Sequence, residues 1–190
     1  MNKKSALFDI YPYDPATNTI TIPVRLNSYA DLYNPIDPSP APSRDLSQDV
    51  VDYLLQCSSE VDLEYKIGLS IQIIQEDRDD HNESEGINSI RNFFTHEIFL
   101  TNNQIRRSRA AALKHLAVSL TCLTIYVLSE QVHLDGILFD IIKEAILIGG
   151  WVFMWESVTH NFIQIDPINE EIKRFDRLIS APIRFHYKNS

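Results

Sequence analysis

The chain has 190 residues, a formal net charge of −9 and 44% apolar residues. This length suits one domain or a small domain with an appendage, and the ordinary apolar content excludes a protein made mainly of membrane spans. The acidic balance argues against a nucleic-acid partner, which requires a basic surface. The two cysteines, Cys57 and Cys122, offer neither a metal-binding spacing nor a disulfide framework.

The first residues predict a polar start followed by a strand. Asp9 interrupts the early apolar run, which is too short for a secretory signal, so we expect the polar part to be cytosolic. Residues Thr19–Leu26 alternate between apolar and polar side chains, as a half-buried strand does. Pro23 favours an edge position because it has no N–H to donate. Residues 7–11 are a candidate partner strand across a turn at 15–18.

A proline-rich segment at residues 34–43 predicts an extended connection without helix. We interpret it as a rigid linker, with a proline-rich ligand for a partner domain as the alternative. A helix is expected to start at Asp45, with Gln48 at the capping-box position. Residues 66–74 then alternate again and predict a second strand.

Acidic residues are dense at 76–85, which we interpret as a loop, with Asn82 and Glu85 as a capping box for the next helix. Neither proline nor glycine occurs at residues 88–129. This predicts one continuous helix, about 60 Å long at about 1.5 Å per residue. Its first half is amphipathic, whereas residues 110–129 have Lys114 as their only charged residue.

Two long apolar runs dominate the second half of the chain. The first, residues 110–129, can cross about 30 Å of hydrocarbon, and residues 137–155 form the second. The connection between them has no lysine or arginine, whereas lysines and arginines gather at 106–114 and 173–188. By the positive-inside rule, we expect both termini to be cytosolic and the turn between the two runs to lie on the other side of the membrane.

Several residues are expected to position this two-helix transmembrane hairpin. Gly149 and Gly150 would let the helices approach closely against Ala117, Thr121 or Thr124. Basic and aromatic side chains would anchor it at the cytosolic interface. The expected anchors are Arg106, Arg107, Arg109, Trp151 and Trp155.

Asp140, Lys143 and Glu144 interrupt the second run. Each central charge costs about 2.5–3.5 kcal/mol on insertion, although Asp140 and Lys143 are spaced to pair. Ionisable residues within a span are functional candidates, so this group is interpreted as a proton or ion relay, or as a polar lock between subunits. The alternative is a helix end exposed to water and headgroups.

The last part of the chain returns to a polar pattern. Pro167 and Asn169 precede a predicted amphipathic helix that Pro182 ends, and Ile183–Tyr187 alternate like a strand that rejoins the sheet. The predicted fold class is therefore α+β: a small cytosolic sheet-and-helix domain with an inserted membrane hairpin. The predicted segments are a cytosolic domain at 1–105, the hairpin at 106–163, and a returning helix and strand at 164–190.

Two segments resemble a pattern in uncharacterised small bacterial membrane proteins. They are Asn34-Pro-Ile-Asp-Pro-Ser-Pro with Arg44-Asp45-Leu46, and Glu144-Ala-Ile-Leu-Ile-Gly-Gly-Trp-Val-Phe-Met-Trp155. The resemblance covers about residues 20–183. It implies the same order of soluble and membrane parts, and a location in a bacterial inner (cytoplasmic) membrane. A basic residue and a proline commonly follow the last tryptophan in such proteins, whereas Glu156 and Ser157 stand here. The group has no assigned activity, so the resemblance implies a topology and no catalytic residue.

No catalytic motif emerges from the sequence. His96-Glu97 lacks the second histidine of a zinc helix, and the acidic cluster lacks the ligand order of an EF-hand. We predict no catalytic residue, no metal and no cofactor. The main hypothesis is a non-catalytic two-pass membrane adaptor or accessory subunit that contacts the lipid bilayer and forms a homo-oligomer or a larger complex. The alternatives are a membrane effector or channel-like assembly, and a soluble domain with a buried helical hairpin.

Overall fold

A computed structural model describes residues 3–41, 43–131, 136–160 and 165–187. Pro42 and part of the predicted connection at 130–136 lie outside the described residues. The helices are α1 (Lys3–Ile10), α2 (Gln48–Glu60), α3 (Asp80–Ser129), α4 (Ile137–Val158) and α5 (Ile165–Ser180), with a short 3-10 helix at Tyr29–Leu32. The strands are β1 (Tyr13–Asp14), β2 (Thr19–Leu26), β3 (Lys66–Ile73) and β4 (Ile183–Tyr187).

The chain forms two compact units. Unit 1 comprises Met1–Phe99 and Glu171–Ser190, and unit 2 comprises Leu100–Glu170. Unit 1 holds a four-stranded sheet in the order β1-β2-β3-β4, in which β1 is antiparallel to β2 while β2, β3 and β4 are parallel. The α+β class is therefore confirmed, as are the strands predicted at β2, β3 and β4. The long helix without a break is also confirmed, since α3 runs continuously for 50 residues.

The core of unit 1 lies on one face of the sheet. Alternate residues of β2 and β3 are buried there, because successive strand side chains point to opposite faces. Apolar residues of α2, α3 and α5 cover the same face. The buried members of this core include Ile20, Ile22, Val24, Leu26, Ile67, Leu69, Ile71, Ile73, Val51, Leu54, Ile90, Phe94, Phe175 and Leu178.

The predicted partner strand at residues 7–11 is wrong. Residues 3–10 form α1, in which Phe8 stacks on Tyr13 with ring centroids 4.4 Å apart. The strand that pairs with β2 is β1, and the turn between them is held by the Asp14 carboxylate, which accepts hydrogen bonds from the Ala16 N–H and the Thr17 hydroxyl. The strand that pairs with β2 therefore begins at Tyr13, just after the predicted segment. The stacking of Phe8 on Tyr13 and the turn at Asp14 stabilise this arrangement.

Pro23 does not lie in an edge strand, because β2 is between β1 and β3. However, β1 pairs only with Thr19 and Ile20, so Pro23 lies beyond the end of β1. The Pro23 carbonyl accepts a hydrogen bond from the Tyr53 hydroxyl at 2.8 Å. The absence of an N–H group at Pro23 therefore costs the sheet no hydrogen bond to β1. The carbonyl of Pro23 accepts its hydrogen bond from α2, through Tyr53.

The proline-rich segment is a closed loop and not a spacer between distant elements. Tyr33 and Leu46 form an isolated antiparallel bridge at its base, and the Asn34 N–H donates to the Asp45 carbonyl at 2.9 Å. The Asp45 N–H donates to the Asp37 carboxylate at 2.7 Å. Because its backbone is engaged in this way, Asp45 does not start α2, which begins instead at Gln48.

The first turn of α3 also differs from the prediction. The helix starts at Asp80, inside the segment predicted as an acidic loop. Asp79 caps it, since its carboxylate accepts the N–H groups of His81 at 2.9 Å and Asn82 at 3.3 Å. The proposed capping box of Asn82 and Glu85 is therefore wrong, because Asp79 already fills the capping position.

Candidate functional site

Unit 2 exposes a large apolar surface, which we call the apolar band. It consists of the exposed apolar side chains of α3 from Leu113 onwards and of α4, whose exposed fractions range from 37% to 81%. Soluble monomers rarely expose contiguous apolar patches of more than a few hundred Å². The members are Leu113, Leu116, Val118, Leu120, Ile125, Val127, Leu128, Ile137, Leu138, Ile141, Ile142, Ile148, Trp151, Val152, Phe153, Trp155 and Val158.

Of the described helices, α3 alone is long and apolar enough to cross a membrane. Its most apolar 18-residue window has a mean hydropathy of 1.6, and only 11% of that window is buried. A core helix of a soluble protein reaches similar hydropathy but is mostly covered. The second apolar run, α4, does not qualify, as Asp140, Lys143 and Glu144 fall within its first turns.

Close contact between α3 and α4 centres on Gly150. The hydroxyl of Ser119, which is fully buried, donates to the Gly150 carbonyl at 2.8 Å. A Cβ atom at Gly150 would lie 3.1 Å from Leu123 Cγ and 3.4 Å from Cys122 Cβ. The absent side chain at this position therefore sets the distance between the two helices.

The two predicted packing glycines have different surroundings. Gly150 is buried against α3, whereas a Cβ at Gly149 would meet nothing within 4 Å. The neighbours of Gly150 are also not the expected ones. The hydroxyls of Thr121 and Thr124 instead donate to the Ala117 and Leu120 carbonyls of their own helix.

The predicted polar group divides into an ion-paired lysine and two exposed acids. Lys143 forms an ion pair with Glu130 at the end of α3, and its ammonium lies 5.8 Å from the centre of the Tyr126 ring. Asp140 and Glu144 are exposed on α4. The lysine therefore links α4 to α3, in place of the expected pairing with Asp140 on its own helix.

At the opposite end of this helix pair lies a cluster of polar and aromatic rings. His115 stacks on His160 with ring centroids 5.4 Å apart and on Phe153 at 6.0 Å. His160 Nε2 lies 3.5 Å from a carboxylate oxygen of Glu156. Polar groups of α3 and α4 thus gather at both ends of the apolar band. The predicted anchors Arg106, Arg107, Arg109, Trp151 and Trp155 are all exposed.

Unit 1 carries a second candidate surface, which we call the open sheet face. It is formed by the strand side chains that point away from the core, including Thr21 and Arg25 of β2, Ser70 and Gln72 of β3, and Arg184 of β4. Arg25 lies beside Gln72, which lies beside His186, and Ser70 lies beside Arg184. Sequence reasoning missed this surface, although the polar positions of the three predicted strands were visible.

The chemistry available among the described residues is limited. They include no group of three or more histidine, cysteine, aspartate or glutamate side chains placed to hold a metal ion. Cys57 is a free cysteine buried in the core of unit 1, and Cys122 is a half-buried one beside Gly150. Burial of a thiol among apolar side chains is typical of a structural role. The notable features are therefore two surfaces, the apolar band and the open sheet face.

Comparisons with protein-family models, curated proteins and solved structures give no match for this chain.

Proposed function

We propose that the chain is a non-catalytic, membrane-anchored adaptor or accessory subunit. In this proposal the apolar part of α3 and the whole of α4 form a two-pass hairpin in a bacterial inner membrane. The α+β unit and both termini are on the cytosolic side, where the unit binds a protein partner. Arg106, Arg107 and Arg109, which precede the apolar part of α3, favour this orientation.

The observation that carries the proposal is the exposed apolar band. In water, each exposed leucine or isoleucine forgoes about 1.5–3 kcal/mol of possible burial. Among the described residues, seventeen large apolar side chains of α3 and α4 are exposed. Lipid tails would solvate such a surface without requiring any further protein.

The polar groups near the band support the same assignment. The backbone of a helix satisfies its own hydrogen bonds within a bilayer, and the buried Ser119 hydroxyl is satisfied by Gly150. The Lys143–Glu130 ion pair lies next to the connection between α3 and α4. A charge paired at the end of a span costs less than an unpaired charge at its centre.

The soluble alternative requires other copies or other proteins to cover the band. In the part of the chain that the structure describes, the side chains of the band are between 37% and 81% exposed. A soluble protein of this kind would have to be an obligate oligomer. We therefore favour the membrane assignment over the soluble one.

Membrane integration tests the proposal directly. In bacterial cells expressing the full chain, the protein should sediment with membranes and resist extraction by alkaline carbonate. Release into the supernatant without detergent would refute the membrane hairpin. A peripheral protein under the same conditions provides the control.

Sidedness can be tested by single-cysteine labelling. In a background with Cys57→Ala and Cys122→Ala, a membrane-impermeant maleimide should label Gln131→Cys in intact spheroplasts, because the connection lies outside. Leu63→Cys, exposed in unit 1, should react only after lysis. Equal labelling of both positions in intact spheroplasts would contradict the orientation.

A channel-like assembly is the second candidate, and the exposed acids Asp140 and Glu144 favour it. They are four residues apart, so they share one side of α4, and no ion pair among the described residues uses either of them. Reconstituted Asp140→Asn/Glu144→Gln protein should lose ion flux while its assembly stays intact. Lys143 is unsuitable for this test because its pairing with Glu130 makes it structural. Absence of flux in the unaltered protein would favour the adaptor.

A further inference from the structure

Strand β4 forms an open edge of the unit 1 sheet. It pairs with β3 on one side, and in the part of the chain that the structure describes no strand lies on its other side. The opposite edge strand, β1, has only two residues, whereas β4 has five, with Arg184 as its one arginine and without lysine or proline. Proteins commonly protect an exposed edge with short strands, lysine or proline, because an open edge can pair with another chain. Only the β1 edge is protected in this way.

The register of β4 determines which of its main-chain groups face the open edge. Leu69 of β3 lies level with Ile183, and its N–H donates to the Pro182 carbonyl at 2.9 Å. Alternate residues of a strand bond to the same neighbour in a parallel ladder. The main chain of Arg184 therefore also faces β3, whereas that of Ile183 and Phe185 faces outward. Among the described residues, no hydrogen bond engages the N–H or carbonyl group of Ile183 or Phe185.

A groove with a volume of about 760 Å³ runs along this edge. All five residues of β4 line it, so it extends along the whole strand. The charged residues of its lining are two acids, Asp77 and Glu83, and two arginines, Arg78 and Arg184. Because these charges balance, the groove does not favour a charged ligand. Its distinguishing feature is the row of free main-chain donors and acceptors.

The apolar side chains of β4 are only partly covered. They pack against the core of unit 1 but are half-buried, whereas the β3 residues level with them are at most 1% exposed. The β4 residues are Ile183, Phe185 and Tyr187, and those of β3 are Leu69, Ile71 and Ile73. Covering the remaining apolar surface favours an added strand that has its own apolar residues at the same alternate spacing.

We propose that a second copy of this chain pairs with β4 at this edge. The two β4 strands are antiparallel about a two-fold axis at Phe185. Each Phe185 N–H then donates to the Phe185 carbonyl of the other copy, and Ile183 lies opposite Tyr187. Aromatic and aliphatic cross-strand pairs of this kind stabilise a sheet. Arg184 lies opposite His186, so the two arginines do not face each other.

The symmetry of this pairing favours a second copy over an unrelated strand. The outward main-chain groups and the half-buried apolar row of one copy meet the same groups of the other, as an isologous contact requires. The two four-stranded sheets become continuous, and neither copy keeps an open β4 edge, so assembly at this edge stops at a dimer. A single strand pair is a small contact, so the dimer should dissociate on dilution. This inference goes beyond the proposed membrane adaptor and does not depend on it.

Disulfide formation between defined positions tests the pairing. Full-length protein in neutral detergent micelles, with Cys57→Ala and Cys122→Ala, has either Arg184→Cys or His186→Cys added, and the two proteins are mixed under mild oxidation. The two positions face each other with Cα atoms about 4.5 Å apart, which a disulfide can span. The mixture should form a disulfide-linked dimer. Each variant alone should form at least fivefold less, because its own cysteines are diagonal and about 7–8 Å apart.

Arg25→Cys provides the matched control. Arg25 is exposed on the same face of the sheet, but it lies on β2, two strands away from β4. Mixed with His186→Cys, it should give no more dimer than His186→Cys alone. Equal cross-linking by Arg25→Cys and Arg184→Cys would indicate random collision and refute the pairing. No cross-linking in the mixture, or more within the single variants, would also refute it.

Phe185→Pro and Phe185→Ala separate main-chain pairing from side-chain packing. Both remove the ring, but only proline also removes the N–H that faces the open edge. Sedimentation equilibrium in micelles should show a dimer at least tenfold weaker for proline than for alanine. Equal dissociation constants would contradict main-chain pairing, and a monomer at every concentration would leave the edge to a strand of another protein. If circular dichroism shows that the proline variant is unfolded, the disulfide experiment decides.

The dimer and the membrane anchor fail independently. A protein that resists carbonate extraction but forms no cross-link between positions 184 and 186 would sink only the dimer. A protein that forms this cross-link but is released from membranes without detergent would sink only the membrane anchor.

Discussion

Arg177 joins α5 to the carboxyl end of α2. Its guanidinium donates to the carbonyl oxygens of Ser58 at 2.7 Å, Asp62 at 2.9 Å and Val61 at 3.2 Å. The last carbonyl groups of a helix lack partners within the helix, and a cation there also favours the helix dipole. The Arg177 side chain therefore supplies hydrogen-bond donors to the carbonyl groups at the carboxyl end of α2. In many other helices a glycine cap satisfies these carbonyl groups.

Replacing Arg177 by alanine should weaken the carboxyl end of α2. We expect a loss of about 2 kcal/mol, typical of a lost set of charged hydrogen bonds. Hydrogen exchange of the amides of α2 in the full-length protein measures it. Arg91→Ala, at an exposed position, should change the same amides by less than about 0.5 kcal/mol. Unchanged protection in Arg177→Ala would show that water replaces the guanidinium at no cost.

Tyr187 holds the end of β4 against two other segments of unit 1. Its hydroxyl donates to the Glu83 carboxylate and lies in hydrogen-bond contact with the Tyr29 hydroxyl. Burial, followed by the hydrogen bonds with Glu83 and Tyr29, raises the pKa of Tyr187 well above its ordinary value of 10.0. Burial likewise raises the pKa of Tyr11.

This shift predicts a loss of stability in alkali. Above about pH 10, Tyr187 ionises in the unfolded chain but stays protonated in the folded one, so stability falls as pH rises. Tyr187→Phe should reduce the fall in the thermal midpoint between pH 9 and pH 11, and the part due to Tyr11 should remain. The pH 9 midpoint of the variant serves as its own reference. An identical alkaline fall with and without the tyrosine hydroxyl would contradict the assigned cause.

At the scale of elements, the contact between α3 and α4 depends on a single small residue. Gly150→Leu places side-chain atoms where Leu123 already lies 3.1 Å from the position of a Cβ. Overpacking of this kind costs about 1–3 kcal/mol, so the thermal midpoint of unit 2 in detergent should fall. Tryptophan fluorescence reports it, since both tryptophans are on α4.

Gly149→Leu is the matched control, because a Cβ at Gly149 meets nothing within 4 Å. The same substitution one residue away should leave the fluorescence transition nearly unchanged. If Gly149→Leu lowers the midpoint as much as Gly150→Leu, the helices do not meet through Gly150.

The helices α2 and α3 begin at other residues than the sequence pattern predicted. The sequence pattern predicted Asn82 as the cap of α3, whereas the structure uses Asp79. The cap is decided by contacts remote in sequence, since the Asp79 N–H also donates to the Tyr29 hydroxyl at 3.3 Å. Likewise, the bridge of Leu46 with Tyr33 delays the start of α2.

For the whole molecule, a charge in the apolar band should block membrane integration. Leu120 of α3 is 53% exposed. Leu120→Arg should cost about 2.5–3.5 kcal/mol on insertion and should reduce the fraction that resists carbonate extraction. Leu63→Arg changes a 45% exposed leucine of unit 1 and should leave that fraction unaltered. Equal integration of both variants would mean that lipid does not contact Leu120.

Periodicity alone determined much of this protein. The alternation in β2, β3 and β4 and the unbroken stretch of α3 predicted four elements and the α+β class. These patterns succeed because they record which side of a local element is buried, a property set by residues a few positions apart. The apolar band was also recognisable in the sequence, as the two long apolar runs at residues 110–129 and 137–155.

Only the tertiary structure decided which residues meet. It pairs Lys143 with Glu130, buries Gly150 while leaving Gly149 open, and places all the helices of the unit 1 core on one face of the sheet. Each of these depends on contacts between residues far apart in the chain. A periodic pattern identifies which side of a helix or strand is buried, and it is the same whichever element packs against that side. The pattern therefore does not identify the partner, which is determined by packing in the folded core.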